Sequence, residues 1–228
     1  MASLAAANAV QAILSSIQVG LPREHGSDGS QDPEQQPWLS AIFKDPVSGP
    51  VWLGRNGLEG DHQADLKVHG GPNKAVLAYS AGHYPLWRAE WNEPDIPFGG
   101  FGENFTVSGL EERTVCLGDI WSVGDALLQV SQPRTPCWKL ARRWNRPHLP
   151  QRVIATGRSG WYLRVLREGN VEAGAQIALQ ERPLPQWSIA RISQVFYVAG
   201  DPAAAVELAQ CPLLSSGWRR AFAERAAR

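Results

Sequence analysis

Short apolar segments separated by polar turn residues occupy most of the chain between residues 10 and 182. Gly, Pro, Asn and Asp interrupt the apolar positions at short intervals, a pattern typical of many short strands. The predicted strands cover residues 13–19, 39–44, 51–54, 75–80, 103–107, 119–123, 126–131, 161–167 and 176–180. So many short strands in succession predict a β-barrel.

Two segments of the strand-rich region have helical spacing instead. Tyr84, Trp87 and Trp91 recur at i, i+3 and i+7, which predicts a helix that packs its aromatic stripe on the barrel. Residues 147–156 predict a second short helix that ends at Gly157. Residues 20–37 hold almost no apolar side chain, so we predict a mobile loop there.

The pattern changes to helical period after two prolines at positions 183 and 185. Ser188 is a candidate N-cap, Asp201 is a second N-cap with proline after it, and Trp218 with Phe222 marks a last helix. Three short helices are too few to be stable alone, so we expect them to dock on the barrel. The predicted domains are a barrel over residues 1–186 and a three-helix subdomain over residues 187–228.

Composition and charge limit the classes of partner. Basic and acidic residues are equal at 22 each, so the formal net charge of +0 gives no field that would attract nucleic acid or an anionic membrane. No apolar run approaches the roughly 18 residues of a membrane-spanning helix, and the Ala-rich start lacks the basic segment of a signal peptide. We therefore predict a cytoplasmic protein without nucleic-acid or membrane partners.

The three cysteines are Cys116, Cys137 and Cys211, an odd and widely spaced set that favours a reducing compartment over a disulfide framework. No CxxC occurs, which excludes ordinary iron–sulfur clusters and zinc ribbons. Cys137 differs from the others because Arg134 and Lys139 lie near it at a predicted helix start, a setting that favours a thiolate able to attack or to bind a soft metal. A buried structural thiol and a thiol hydrolase paired with His69 are the alternatives.

A Gly-dense polar segment at residues 57–74 is a candidate anion site. It contains Lys67, His69, Gly70 and Gly71, so backbone N–H groups can approach a ligand while the Lys and His side chains supply charge or donors. The alternative is a long solvated turn. The segment matches neither the GxxxxGK[ST] nor the GxGxxG phosphate-binding pattern.

A second Gly-rich segment, residues 99–105, leads into a predicted strand. Its glycines let the backbone come close to another group, and Asn104 offers both a donor and an acceptor. A bulge or a tight corner of the barrel explains the same composition. Two explanations of this segment's composition therefore stay open: contact with a ligand, and a bulge or corner of the barrel.

Taken in order, several segments resemble the MOSC family, which is named after the C-terminal part of molybdenum cofactor sulfurases. They are GLEGDHQADLKVHGGPNKAV, FGENF, LGDIW, ALLQVSQPRTPCWKL and GWYLRVL. The resemblance is to the YiiM-type branch, the hydroxylaminopurine-resistance proteins, and includes the three-helix tail. It implies a mainly β fold with α, a MOSC-type β-barrel with short packed helices, that binds a molybdopterin-type molybdenum cofactor.

The resemblance also implies roles for individual residues. Cys137 would be the catalytic residue and the thiolate ligand of molybdenum. The positions implied to contact the cofactor are Lys67, His69, Gly70, Gly71, Asn104 and Arg134. The implied activity is reduction of N-hydroxylated compounds to amines, which consumes two electrons and two protons.

The sequence shows no flavin, nicotinamide or iron–sulfur motif that could supply electrons. We therefore predict an external electron donor, a flavoprotein reductase, and a small N-hydroxylated molecule as substrate; a homodimer is a further hypothesis. His69 or a nearby carboxylate is the candidate proton carrier. An alternative function stays open, in which Cys137 carries a persulfide as a sulfur carrier or the barrel only carries the cofactor.

Overall fold

A computed structural model describes residues 12–32, 35–66, 69–198 and 201–227 of the chain. The strands are β1 (Ala12–Val19), β2 (Arg23–His25), β3 (Trp38–Ser40), β4 (Asp45–Pro46), β5 (Val51–Gly54), β6 (Gly57–Leu58), β7 (Val76–Ser80), β8 (Phe105–Ser108), β9 (Ile120–Val123), β10 (Ala126–Pro133), β11 (Trp161–Arg167), β12 (Gly169–Val171) and β13 (Gln176–Glu181). The helices are α1 (His83–Trp91), α2 (Trp138–Trp144), α3 (Leu149–Thr156), α4 (Ile189–Tyr197), α5 (Pro202–Gln210) and α6 (Ser216–Ala226), with a 3₁₀ turn at Pro72–Lys74.

Seven strands close into a barrel in the order β13-β9-β10-β11-β7-β8-β1, and β1 pairs back onto β13. Only the β7–β8 pair of this barrel is parallel. Side chains that alternate inward, among them Leu14, Ile17 and Leu128, are fully buried and fill the interior. The predicted β-barrel is confirmed.

The two helices predicted within the strand-rich region are also present. Tyr84 and Trp87 of α1 have no exposed surface and pack in a cluster with Phe101, so the predicted aromatic stripe is confirmed. Helix α3 ends at Gly157, whose φ of 71° lies in the left-handed region, as predicted. It begins at Leu149, two residues later than the sequence indicated.

The three helices of the tail begin as the sequence predicted. The Ser188 hydroxyl accepts a hydrogen bond from the backbone N–H of Arg191 at 3.2 Å, and Asp201 accepts one from Ala204 at 2.9 Å. Both side chains therefore satisfy N–H groups that the first helical turn leaves open. Trp218 lies in the apolar cluster that the tail helices share.

The tail is docked on the barrel by main-chain and side-chain contacts. The backbone N–H of Ser215 donates to the Ser131 carbonyl of β10 at 3.2 Å, and Arg164 of β11 donates to the Leu213 carbonyl at 2.7 Å. Ile189 of α4 is fully buried and belongs to the barrel's own apolar cluster. The expectation that the tail docks on the barrel is confirmed.

Two predictions for the segment before β5 are wrong. The strand predicted at residues 39–44 ends at Ser40, because the Ile42 carbonyl accepts a hydrogen bond from Arg143 of α2 and not from a neighbouring strand. The loop predicted at residues 20–37 contains β2, which pairs with β3. The His25 ring of β2 lies 4.3 Å from the Phe43 ring, so ring packing stabilises a ribbon that has no apolar alternation.

The strand predicted at residues 51–54 is present as β5, but it lies outside the barrel. It pairs with β12 on one side and β6 on the other in a separate three-stranded sheet. The sequence analysis predicted neither of these two strands. They are two and three residues long, too short for a period-2 pattern to be recognised.

Candidate functional site

A cleft with about 660 Å³ of empty volume brings together most of the predicted site residues. The predicted residues that line it are His69, Gly70, Asn104, Arg134 and Cys137. We call it the thiol cleft. Gly71 lies in an adjoining, larger cleft, and Lys67 lies outside the described residues.

Cys137 occupies the turn between β10 and α2. It is the N-cap residue of α2 with extended backbone angles (φ −108°, ψ 164°), which confirms the predicted helix start beside the thiol. The thiol is free and half-buried, and it lines both clefts. Cys137 therefore forms part of the wall of both clefts.

Arg134 follows β10 directly, and only 4% of it is exposed. Its Nη2 atom donates to the Phe101 carbonyl at 2.9 Å, whereas its Nη1 atom is buried with no hydrogen-bond partner. A buried donor without an acceptor costs free energy, and a guanidinium can only donate. Arg134, which lines the thiol cleft, thus keeps one cationic donor that no described protein group accepts.

Further cationic side chains surround the thiol cleft although the chain is neutral overall. Lys74 and Lys139 both line it, together with His69. Burial lowers the pKa of His69, and the charges of Lys139 and Lys74 lower it further. His69 is therefore a neutral imidazole near pH 7, while the lysines and Arg134 make this cleft locally basic.

Tyr162 of β11 is a site residue that sequence reasoning missed. It lines both clefts, and the Lys74 ammonium lies 5.9 Å from the centre of its ring. Burial raises the pKa of Tyr162, so the phenol keeps its proton and can donate a hydrogen bond into the cleft. In the sequence, Tyr162 is one member of an apolar strand, and nothing local distinguishes it from core residues.

Glu103 shapes the wall of the thiol cleft without entering it. Its carboxylate has no exposed surface and accepts hydrogen bonds from the backbone N–H groups of Gly99 at 2.8 Å and Phe101 at 3.1 Å. The Tyr84 hydroxyl of α1 donates to the same carboxylate. Glu103 therefore fixes the Gly-rich turn that carries the Phe101 carbonyl to Arg134.

Asn104 lines the thiol cleft, yet its side chain also bonds the barrel backbone. Its Oδ1 atom accepts from the Leu77 N–H at 3.1 Å, and its Nδ2 atom donates to the Gln18 carbonyl at 3.3 Å. These bonds tie β7 and β1 together beside the cleft. The geometry gives Asn104 a structural role in addition to its place on the cleft wall.

A buried ion pair, which the sequence analysis did not predict, completes the thiol cleft. Lys44 contacts Asp61, and the two side chains are only 7% and 1% exposed. Asp61 also accepts hydrogen bonds from the Gly20 N–H at 2.8 Å and from Gln63 at 3.2 Å. The Asp61 carboxylate already has Lys44 and two hydrogen-bond donors as partners, so this wall of the cleft has a structural role. The positive charge of the site comes from Arg134, Lys74 and Lys139.

The larger cleft has about 2200 Å³ of empty volume and extends from the thiol cleft to the tail; we call it the tail groove. The two clefts share Ala64, His69, Gly70, Lys74, Thr135, Cys137, Lys139 and Tyr162. From the tail, the lining residues are Phe196, Ser215, Ser216, Gly217, Trp218 and Ala221. The C-terminal helices therefore form one wall of the space in front of the thiol.

The other two cysteines lie outside both clefts. Burial raises the pKa of the Cys116 thiol, as expected for a structural residue. No group of three or more His, Cys, Asp or Glu side chains in the described part of the chain is placed to hold a metal ion. None of the described helices has both the length and the hydropathy needed to span a bilayer.

The fold and the site define a class of protein: a β-barrel with a basic, thiol-containing cleft and an appended three-helix unit. The model of the MOSC domain matches residues 65–178, and the model of the YiiM-like 3-alpha helix domain matches residues 187–228. The chain belongs to the MOSC family, in its YiiM-like form. The resemblance seen in the sequence motifs is confirmed.

Individual relatives agree with this assignment. The chain is 38% identical to "Uncharacterized protein YflK" of Bacillus subtilis (strain 168) over 211 residues, which is 92% of each protein. It is 45% identical over 159 residues to a "Reductase" of Gibberella moniliformis, a match that covers 68% of this chain and 28% of that protein. The crystal structure of YiiM from Geobacillus stearothermophilus superposes with a TM-score of 0.78 at 39% identity and covers 94% of this chain and 99% of its own.

Proposed function

We propose that the protein is a molybdenum-cofactor-dependent reductase that converts small N-hydroxylated compounds, such as hydroxylaminopurines, to amines. The observation that carries the proposal is the buried, unpartnered Nη1 atom of Arg134 in the same cleft as the Cys137 thiol. The 45% identity to a protein named as a reductase supports reductive chemistry. A soft thiolate beside fixed cationic donors is the chemistry that a molybdenum ion on an anionic phosphorylated ligand requires.

The described residues fit such a cofactor. Cys137 would hold the metal through its sulfur, and Arg134 would donate Nη1 to an oxygen of the pterin or its phosphate. Lys74 and Lys139 would add positive charge, and Gly71 has open space where a side chain would stand, so a ligand can approach its backbone. When bound, the molybdenum cofactor supplies the redox chemistry, passing two electrons to the N–O bond of the substrate.

Residues of this chain would carry out the proton transfers. Reduction of an N-hydroxy group to an amine and water consumes two protons with its two electrons. Tyr162 keeps its phenolic proton because burial raises its pKa, so it can hydrogen-bond the leaving oxygen. His69, held neutral because burial and neighbouring lysines lower its pKa, can take a proton from water and return it to the site.

The electrons must come from another protein, which we propose is a flavoprotein reductase. The sequence carries no motif for a flavin, a nicotinamide or an iron–sulfur cluster. The half-buried thiol and the wide tail groove leave the site open to a small substrate. A cytoplasmic location and a homodimer complete the proposal.

Purification from cells that make molybdenum cofactor tests this function. We expect molybdenum and pterin in the wild-type protein, and reduction of hydroxylaminopurine with a chemically reduced dye as electron donor. Cys137→Ser should lose turnover and most of its metal, whereas Cys211→Ser, which changes a half-buried thiol outside both clefts, should keep both. A wild-type protein with a trapped persulfide, but without molybdenum or turnover, would instead indicate a sulfur carrier.

A further inference from the structure

We propose that the tail groove is the route and binding surface for the substrate, and that Trp138 and the first turn of α6 determine its selectivity for planar heteroaromatic compounds. The inference rests on the proposed function, because it assigns a substrate to the site at Cys137. It also gives the three-helix tail a direct part in substrate binding. The argument uses the continuity of the two clefts, the distribution of charge and the exposed rings.

The tail groove and the thiol cleft form one continuous space. Eight residues line both, among them Cys137 and Tyr162, so no wall separates the groove from the cleft at these two residues. If a cofactor fills the thiol cleft, the groove is the space that remains in contact with Cys137. A substrate bound there would have its reacting end at the thiol and its body towards the tail.

Charge divides the groove into two parts. The cationic residues Lys74 and Lys139 lie in the part shared with the thiol cleft, as does His69. Among the described residues that line the groove alone, Asp65 is the single charged one, and the others are aromatic, aliphatic, hydroxyl or amide groups. This outer part therefore suits an uncharged molecule better than an anion or a cation.

The outer part of the groove presents an exposed aromatic surface beside the thiol. Trp138 follows Cys137 in sequence, and 53% of it is exposed. The Trp38 ring lies 5.6 Å from the Trp138 ring at 56°, and the Arg142 guanidinium lies 5.0 Å from the centre of the Trp138 ring and 5.9 Å from that of Trp38. A flat heterocycle can stack on such a surface with little regard to its substituents.

The opposite wall is held in place by the barrel. The backbone N–H of Ser215 donates to the Ser131 carbonyl of β10, and the Leu213 carbonyl accepts from Arg164 of β11; both residues lie just before α6. The first turn of α6 therefore cannot move away from the groove without breaking contacts with two barrel strands. The width between Trp138 and α6 is fixed by the fold, which is what a specificity wall requires.

Gly217 is a position on the groove wall at which a side chain can be added. It is exposed in the first turn of α6, its backbone is not in the left-handed region, and a Cβ atom placed there would meet no heavy atom within 4 Å. Gly217→Phe therefore adds a ring to the groove wall while the helix stays intact. Gly217→Ala is the matched control, because it makes the same backbone change without filling the groove.

The first measurement is calorimetric binding of adenine, a planar heteroaromatic probe, to the purified protein. Gly217→Phe and Trp138→Ala should each raise the Kd for adenine about tenfold, as expected when a base loses one stacking surface. Gly217→Ala should bind like the wild type. So should Trp52→Ala, which removes a similarly exposed indole, 46% accessible, that lines neither cleft.

The second measurement uses the loaded enzyme and two substrates. Gly217→Phe and Trp138→Ala should raise the KM for hydroxylaminopurine but leave the KM for N-hydroxyurea, which is small and not aromatic, close to its wild-type value. Molybdenum content should equal that of the wild type in all four variants. Equal adenine affinity in all variants, or no adenine binding by the wild type, would overturn the groove assignment. Normal adenine binding by a protein without molybdenum or turnover would support the groove and overturn the proposed function.

Discussion

Arg134 is a buried residue whose hydrogen bonds the described protein groups satisfy only in part. One of its nitrogens bonds the Phe101 carbonyl, and the other is buried without a partner. An unsatisfied buried donor costs about 1–3 kcal/mol, more when it is charged. A ligand that accepts this hydrogen bond would remove that cost. Ligand binding would therefore be more favourable by about the same amount of free energy.

We therefore expect Arg134→Ala to separate binding from stability. The substitution removes one hydrogen bond and one unsatisfied donor, so the free energy of unfolding in urea should change by no more than about 1 kcal/mol. The pterin content of the purified protein should fall severalfold. Arg152→Ala, which removes an exposed guanidinium bound to Glu90 outside both clefts, should keep its pterin. Wild-type pterin content in Arg134→Ala would contradict the placement of the anion site; Lys67→Ala is predicted to lose pterin in the same way.

His69 makes stability depend on pH in a defined direction. Burial and neighbouring lysines lower the pKa of His69 below its ordinary value of 6.5, so the unfolded chain binds a proton more readily than the folded one. The neutral imidazole of His69 contributes to the free energy of unfolding above the pKa that it has in the unfolded chain. This contribution is lost as the pH falls through that pKa towards the lower pKa of the folded protein. In the cofactor-free protein, the fall in unfolding free energy between about pH 7 and about pH 5 should be smaller for His69→Gln than for the wild type. Equal slopes would mean that His69 is not held in this environment.

At the scale of elements, a close approach of strands β7 and β11 supports the site. Gly160 precedes β11 with a φ of 78°, and a Cβ atom there would lie 2.5 Å from the Ala78 carbonyl oxygen. The same glycine accepts a hydrogen bond from the Arg134 N–H at 3.1 Å and donates one to the Glu112 carboxylate at 2.7 Å. The position of Arg134 therefore depends on a backbone geometry that only glycine permits here.

Gly160→Ala and Gly157→Ala form a matched pair that measures this constraint. Both glycines have positive φ angles, 78° and 71°, but a Cβ atom at Gly157 meets nothing within 4 Å. Gly157→Ala should cost about 1–2 kcal/mol of unfolding free energy for the backbone alone. Gly160→Ala should cost about 3 kcal/mol or more and also lower pterin content, as urea titration and pterin assay would report. Equal costs would show that β7 and β11 separate easily at this point.

Sequence patterns predict some elements of this fold and miss others. The barrel strands could be predicted where inward and outward positions alternate along them, as in β11, and α4 because Ser188 starts an apolar stripe. The β2–β3 ribbon could not, because it is held by rings of His25, Trp38 and Phe43 that come together only in the fold. Hydropathy along the chain carries no information about such contacts.

At the scale of the whole molecule, the tail is part of the barrel's stability. Ile189 of α4 is buried in the barrel core, and Trp187 accepts a hydrogen bond from Leu117 at 2.8 Å through its carbonyl. Deletion of residues 187–228 should therefore expose core surface and lower the free energy of unfolding by several kcal/mol, a large share of a typical domain's total. Thermal unfolding and size-exclusion chromatography of residues 1–186 test this. A monomer with wild-type melting temperature and activity would refute it.

The site could be predicted only in part for the same reason. Arg134 and Cys137 lie in one motif, and His69 and Gly70 in another, so short sequence segments identified them before the fold joined the two. Tyr162 and the α6 wall reach the thiol through contacts between residues far apart in sequence. The tail groove is consequently a property of the assembled molecule, and no local pattern predicts it.

The central claim is that the Cys137 sulfur binds molybdenum in this cleft. X-ray absorption at the molybdenum edge of the loaded protein tests it directly, since this measurement counts the sulfur atoms around the metal. We expect about one sulfur atom fewer around the metal that remains in Cys137→Ser, and no change in Cys211→Ser. An identical sulfur count in the wild type and in Cys137→Ser would contradict it.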